Sequence, residues 1–136
     1  MERIKYIPGD LISIYVGVKK YIVEVIGTEN ENEVFLYQVK FSNGEIQYAD
    51  KDNIIPIPIT PEILDNNKWK RLKSKRYTWW RARFDGVYYF IKPNKDYPSV
   101  WELCRGKTKH RFKKIRYVHQ LQHFLFGLDL NSNMNL

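Results

Sequence analysis

Tyr77-Thr78-Trp79-Trp80-Arg81-Ala82-Arg83-Phe84-Asp85-Gly86-Val87-Tyr88-Tyr89-Phe90-Ile91-Lys92 is the stretch that decides how the second half of this chain folds. Two runs rich in aromatic residues flank Asp85-Gly86, a pair that suits a two-residue type I′ hairpin turn because both of its positions need φ > 0. A two-residue loop sets the register, so both faces of the hairpin follow. On one face Phe84 opposes Val87, Ala82 opposes Tyr89 and Trp80 opposes Ile91; that face is apolar and belongs in a core. On the other, Arg83 opposes Tyr88, Arg81 opposes Phe90 and Trp79 opposes Lys92, with Tyr77 continuing the row. This second face mixes cations with aromatic rings.

Working outward, residues 68–76 are basic with a single aromatic, Trp69, and residues 105–114 form a second basic segment, a loop or an exposed strand. Residues 100–104 suit a strand added to the hairpin. Ile115, Val118, Leu121, Leu125 and Leu128 recur at spacings of three and four, which predicts a closing helix over 115–126. Toward the N-terminus, Thr60-Pro61-Glu62 opens a short helix over 61–66, with Thr as N-cap and Pro at the first helical position. Its Ile63 and Leu64 are expected on the rim of what precedes it.

Residues 10–58 read as a compact all-β unit. A strand over 10–18 turns through Gly17-Val18-Lys19-Lys20 into a second over 21–27, and residues 28–33 make a polar acidic loop. A third strand covers 34–41, Ser42-Asn43-Gly44 turns, and a fourth follows at 45–48. Residues 50–53 make one helical turn before Ile54-Ile55. Five short strands with a helical turn before the last suit an SH3-like small β-barrel. The expected fold is therefore α+β: an SH3-like barrel over 1–58, then a basic extension over 59–136 with a short helix, the hairpin and a C-terminal helix.

With 136 residues, 43% hydrophobic and 28% charged, the chain can bury a core, and it lacks the composition of a disordered, collagenous or coiled-coil protein. No apolar run approaches the ~20 residues that span a bilayer. The first residues lack the pattern of a signal peptide. Cys104 is the only cysteine, so no intramolecular disulfide forms. A cytoplasmic location is the default expectation.

The net charge of +8 is unevenly placed: residues 1–67 carry six Lys/Arg against eleven Asp/Glu, and residues 68–136 carry seventeen against four. That asymmetry suggests a polyanionic partner for the second half: nucleic acid, an anionic membrane surface or an acidic protein. The bland alternative is a solvated basic face.

Gly9-Asp10-Leu11-Ile12, the exit Ile55-Pro56-Ile57-Pro58-Ile59-Thr60-Pro61-Glu62-Ile63-Leu64, and Tyr117-Val118-His119-Gln120-Leu121-Gln122 together resemble a group of small uncharacterised proteins associated with Bacteroidota, their phages and mobile elements. The resemblance covers the first 65 or so residues and the last helix, and is weakest across the basic middle. It implies a bacterial or phage setting, a cytoplasmic location and an SH3-like start, but no catalytic residue and no mechanism.

The best candidate surface is the face of Tyr77, Trp79, Arg81, Arg83, Tyr88, Phe90 and Lys92. Bases of single-stranded nucleic acid stack on flat rings while cations neutralise phosphates. Lys73, Lys75 and Arg76 before it, and Lys109, Arg111, Lys113 and Lys114 after it, extend that surface. The structural alternative has the closing helix over part of this face and the arginines lying over the rings as cation–π pairs. His119 and His123, four apart on the closing helix, share a face and have the spacing of metal ligands, but the usual Glu after the first His is replaced by Gln120; a polar helix face is the plainer reading. Cys104 beside Arg105 fills a strand position more readily than a nucleophile's role. The seven glycines are scattered singly, so no phosphate-cradling loop exists. The rim aromatics of the barrel are a further binding candidate, favouring a basic partner.

The chain is therefore expected to be a non-enzymatic module that binds nucleic acid electrostatically through its basic aromatic half. It is expected to use no cofactor, no metal, no membrane and no small-molecule substrate. The competing reading is a protein–protein interaction adaptor encoded by a phage or mobile element.

Overall fold

Alternation of β-branched and aromatic residues over most of the chain gives ten strands among the described residues, and a computed structural model places them in two antiparallel sheets of five. The structure describes residues 5–31, 34–75, 78–106, 110–128, 130 and 132–136. The chain forms two compact units, residues 1–57 with 118–133 and residues 58–117 with 134–136. The protein is thus α+β, mostly strand, with one α-helix of ten residues and one of five among the described residues.

The first unit holds β1 (Leu11–Val16), β2 (Lys19–Glu31), β3 (Val34–Lys40), β4 (Ile46–Ala49) and β5 (Ile54–Ile55) in the order β4-β3-β2-β1-β5. Gly17, at φ +65°, takes the first turn position between β1 and β2, where a Cβ would be strained. Alternate residues Ile12, Ile14, Val23, Val25, Val39 and Ile54 join Tyr6 and Tyr37 in the core. A bulge between Val25 and Gly27 shifts the β2–β3 register. Residues 28–31, expected in a loop, extend β2 instead: Thr28 pairs with Tyr37, Glu29 with Leu36 and Asn30 with Phe35. Polar side chains do not stop a strand whose backbone has a partner, and the aromatics of β3 supply that partner.

Asp50 caps the 3₁₀ turn Lys51–Asn53 through Asp52 N at 3.0 Å, and the turn delivers β5 to β1. In the hydrogen-bonded order β4 and β5 are the two edges, so the sheet is open and the closed barrel expected from the sequence is not seen.

The closing helix is α2 (Val118–Gly127), which groups with this first unit rather than with the basic extension. Ile115, expected to begin it, instead ends a strand. Val118, Leu121 and Leu125 form its buried stripe.

The second unit begins with α1 (Pro61–Asp65), capped by Thr60, whose Oγ1 accepts from Ile63 N at 3.2 Å. Leu64 is buried, and its helix groups with this second unit. Then come β6 (Lys70–Lys73), β7 (Thr78–Phe84), β8 (Val87–Pro93), β9 (Trp101–Arg105) and β10 (His110–Ile115), ordered β10-β9-β8-β7-β6. Asp85 and Gly86 have φ of +49° and +78°, both positive as a type I′ turn requires. The register is the expected one: Trp80 with Ile91, Ala82 with Tyr89, Phe84 with Val87. Each basic segment contributes an edge strand of this sheet, β6 from 68–76 and β10 from 105–114, while residues 76 and 107–109 lie outside the described residues.

Candidate nucleic-acid interface

Side chains that share a row across the second sheet can be read from its register. Trp80, Ile91 and Leu103 line up on one face, all buried. Trp101 packs edge-on against Trp80 at 5.4 Å and donates its indole N–H to Ile59 O at 3.2 Å. At the margin of this face Arg71 pairs with Asp65 and lies 5.2 Å over the Trp80 ring. Hydrogen bonds from Arg71 and from Trp80 Nε1, the latter at 2.9 Å, hold the Asp65 carboxyl below the usual carboxylate range. This is the apolar face expected from the hairpin.

On the other face, Arg81 aligns with Lys70, Phe90, Cys104 and Arg111, while Lys92 aligns with Glu102 and Lys114. Phe90 and Cys104 are buried, whereas Trp79, Tyr88, Arg81 and Lys92 are half-buried and Arg83 is exposed. The cations lie over the rings. Lys92 Nζ is 4.7 Å from the Trp79 centroid, and the guanidiniums of Arg81 and Arg83 are 4.9 and 5.5 Å from that of Tyr88. Trp79 meets Phe90 edge-on at 6.1 Å. Each such cation–π contact contributes about 0.5–1 kcal/mol when exposed. The rings thus carry the protein's own cations.

One carboxylate sits among them. Glu102 is buried, with Lys92 Nζ at 3.9 Å from one oxygen and Arg111 Nη1 at 3.4 Å from the other. Burying a carboxylate is costly unless it is paired, which the two cations accomplish. Glu102 was not singled out from the sequence. Its alternation in Trp101-Glu102-Leu103-Cys104, opposite Lys92, was the available signal. An open recess of about 520 Å³ at this end of the face is lined by Thr78, Trp79, Lys92, Pro93, Asn94, Lys95 and Glu102.

The flanking cations separate. Lys73 ends β6 and is exposed, as is Lys75 beyond it, while Arg111, Lys113 and Lys114 are exposed along β10. A bulge between Arg111 and Lys113 sends these neighbours to different faces: Arg111 pairs with Cys104, Lys113 with Leu103 and Lys114 with Glu102. Arg76, Tyr77 and Lys109 lie outside the described residues.

The histidines of α2 fall in the first unit. His123 Nε2 is 2.7 Å from Oδ2 of Asp10, which also accepts from Ile7 N at 2.9 Å. Burial raises the Asp10 pKa, opposed by the bonds from Ile7 and His123. His119 is buried against Tyr6, with ring centroids 4.9 Å apart. Burial first, then the nearby charges of His123 and Lys5, lowers its pKa to about 4. Gln122 Oε1 accepts from Leu11 N at 2.9 Å, and its Nε2 donates to Gly9 O at 2.9 Å and Ser132 O at 3.1 Å. The Gly9–Asp10–Leu11 turn and the Gln122-His123 pair, distant in sequence, are thus one hydrogen-bonded cluster. Among the described residues, no group of three or more His, Cys, Asp or Glu is placed to hold a metal ion. No helix among them is long and apolar enough to cross a membrane.

No protein family, curated protein or solved structure matches this chain.

Proposed function

We propose that the chain is a non-enzymatic binding module whose second unit engages nucleic acid through its phosphate backbone. The observation that carries this reading is the charge of one sheet. Its five strands hold ten Lys/Arg and a single carboxylate, Glu102, which is buried and already shared by Lys92 and Arg111. Exposed Lys70, Lys73, Arg83, Arg105, Lys113 and Lys114 remain for an outside anion. Cations over Trp79 and Tyr88 favour backbone contact over base stacking.

The test is a titration of labelled single- and double-stranded DNA and RNA across a salt series. Binding through several phosphates weakens with salt, at a log–log slope of about −0.7 to −0.9 per contact. No binding at low salt overturns the proposal. Trp79→Ala should reduce single-strand and duplex binding alike; a loss confined to single strands would restore base stacking.

The first unit supports a second reading, that of an interaction adaptor. We read it as SH3-like: the strand order, the thirteen-residue β2 bent at its bulge and the 3₁₀ turn before β5 favour this. Tyr15, Val16, Val18 and Ile22 leave an exposed apolar tip on the β1–β2 hairpin. The setting implied by the resemblance, a bacterial or phage protein, fits either reading. Pull-down from nuclease-treated lysate, with Val18→Asp as control, separates them: an adaptor's partner survives nuclease and is lost with the substitution.

A further inference from the structure

Arg81 and Arg83 stand two apart on β7 and so on one face of the sheet, with Cα atoms roughly 7 Å apart. Both reach the same ring, that of Tyr88, which pairs with Arg83 across the ladder. The ion pairs of the described residues involve neither arginine, nor the nearby turn residue Asp85. Two like charges are therefore gathered at one ring with no internal anion between them. Their side chains lose less freedom on meeting a ligand than free arginines would, because the ring already restrains them.

We propose that Arg81 and Arg83, aligned by Tyr88, clamp one phosphodiester group of a nucleic-acid backbone, with Tyr88 as a positioning residue rather than a stacking platform. This rests on the nucleic-acid reading above and specifies its central contact. A phosphodiester presents two oxygens sharing one negative charge, which suits a pair of planar N–H forks better than point charges. Arg83 is exposed and Arg81 and Tyr88 are half-buried, so the site lies open at the sheet surface rather than in an enclosed pocket, and a polymer held at several points suits it better than a small free anion. Lys70, exposed and opposite Arg81, would meet a neighbouring phosphate.

Fluorescence anisotropy with a labelled oligothymidylate of about 12 nucleotides tests this. Replacing both arginines by lysine keeps the charge, so R81K/R83K should lose at least about fivefold in affinity with an unchanged salt slope. Tyr88→Leu removes no charge but should lose as much, while Tyr88→Phe stays within about twofold of wild type. An R81K/R83K protein that binds like wild type overturns the clamp and leaves the nucleic-acid reading standing, and so does Tyr88→Leu with full affinity. If Tyr88→Leu fails to fold by circular dichroism, the lysine pair alone decides. Absence of wild-type binding at low salt overturns both readings. A methylphosphonate oligonucleotide, which keeps the bases and lacks the charge, should bind poorly; retained binding overturns the clamp. Complete displacement by inorganic phosphate at matched ionic strength, or equal binding to phosphatidylglycerol vesicles, overturns the assignment to a nucleic-acid backbone.

Discussion

The two sheets have the same strand number and the same antiparallel pairing, and they use their polar side chains in opposite ways. Strands of the first carry three Lys and three Glu, whereas those of the second carry ten cations and one carboxylate. The first packs mainly Ile, Val and Tyr, and three of its buried polar groups, Asp10, Gln122 and His119, belong to α2 and the Gly9–Asp10–Leu11 turn that α2 meets. The second holds all four tryptophans, and lays its cations over rings. Buried polar groups tie α2 to a turn of the first unit, whereas the second unit buries one carboxylate, Glu102, and leaves most of its cations at the surface.

The sharpest way to break that contrast is in the aromatic core. Trp101→Ala removes a buried indole, its bond to Ile59 O and its contact with Trp80, and should cost about 3–5 kcal/mol in urea unfolding. Tryptophan fluorescence reads this unit selectively. A loss below about 1 kcal/mol would place the stability of the second sheet elsewhere. In the first unit, Gln122→Ala leaves Leu11 N–H and two carbonyls without their partner and should cost about 2–4 kcal/mol. Gln122→Glu should not rescue it, since a carboxylate cannot donate to Gly9 O and Ser132 O.

The pH dependence follows from His119, whose pKa falls from the ordinary 6.5 to about 4. Above pH 6.5 it is neutral folded and unfolded. Between these values the unfolded chain binds a proton that the folded chain does not, so stability falls as pH falls, by about 3 kcal/mol in full. Asp10 acts with the opposite sign: its raised pKa withdraws stability as pH rises through it. Urea unfolding from pH 7 to 5 should show the His119 slope, and His119→Gln should flatten it. The smallest effect is expected at exposed Lys73: Lys73→Ala should move stability by less than about 0.5 kcal/mol while lowering the salt slope of nucleic-acid binding by about 0.7 to 0.9.

Local chemistry made much of the architecture legible. Asp85-Gly86 dictated both the turn and the hairpin register, Thr60-Pro61 the start of α1, and Asp50 the 3₁₀ turn, because each is settled by groups within a few residues. The polar run after Gly27 misled, since a strand's hydrogen bonds come from its partner and its side chains do not reveal one. For the same reason β6, within the basic segment 68–76, did not announce itself as a strand, and for 105–114 a loop and an exposed strand stayed open until β10 was seen to pair with β9.

The candidate site was legible as composition and alternation: cations and rings on one face follow from the two-residue period of a strand. What required the tertiary structure was the fate of those rings. Whether Arg81 and Arg83 lie over Tyr88, and whether Glu102 is neutralised by Lys92 and Arg111, depends on rotamers and cross-strand neighbours that no local pattern encodes. The helix shows the division most plainly. Its stripe of Val118, Leu121 and Leu125 was set by spacing alone, but its partner was chosen by Gln122 and His123 finding Gly9, Asp10 and Leu11 more than a hundred residues away. Periodicity declares that a face must be buried; only long-range hydrogen bonding and packing decide against what.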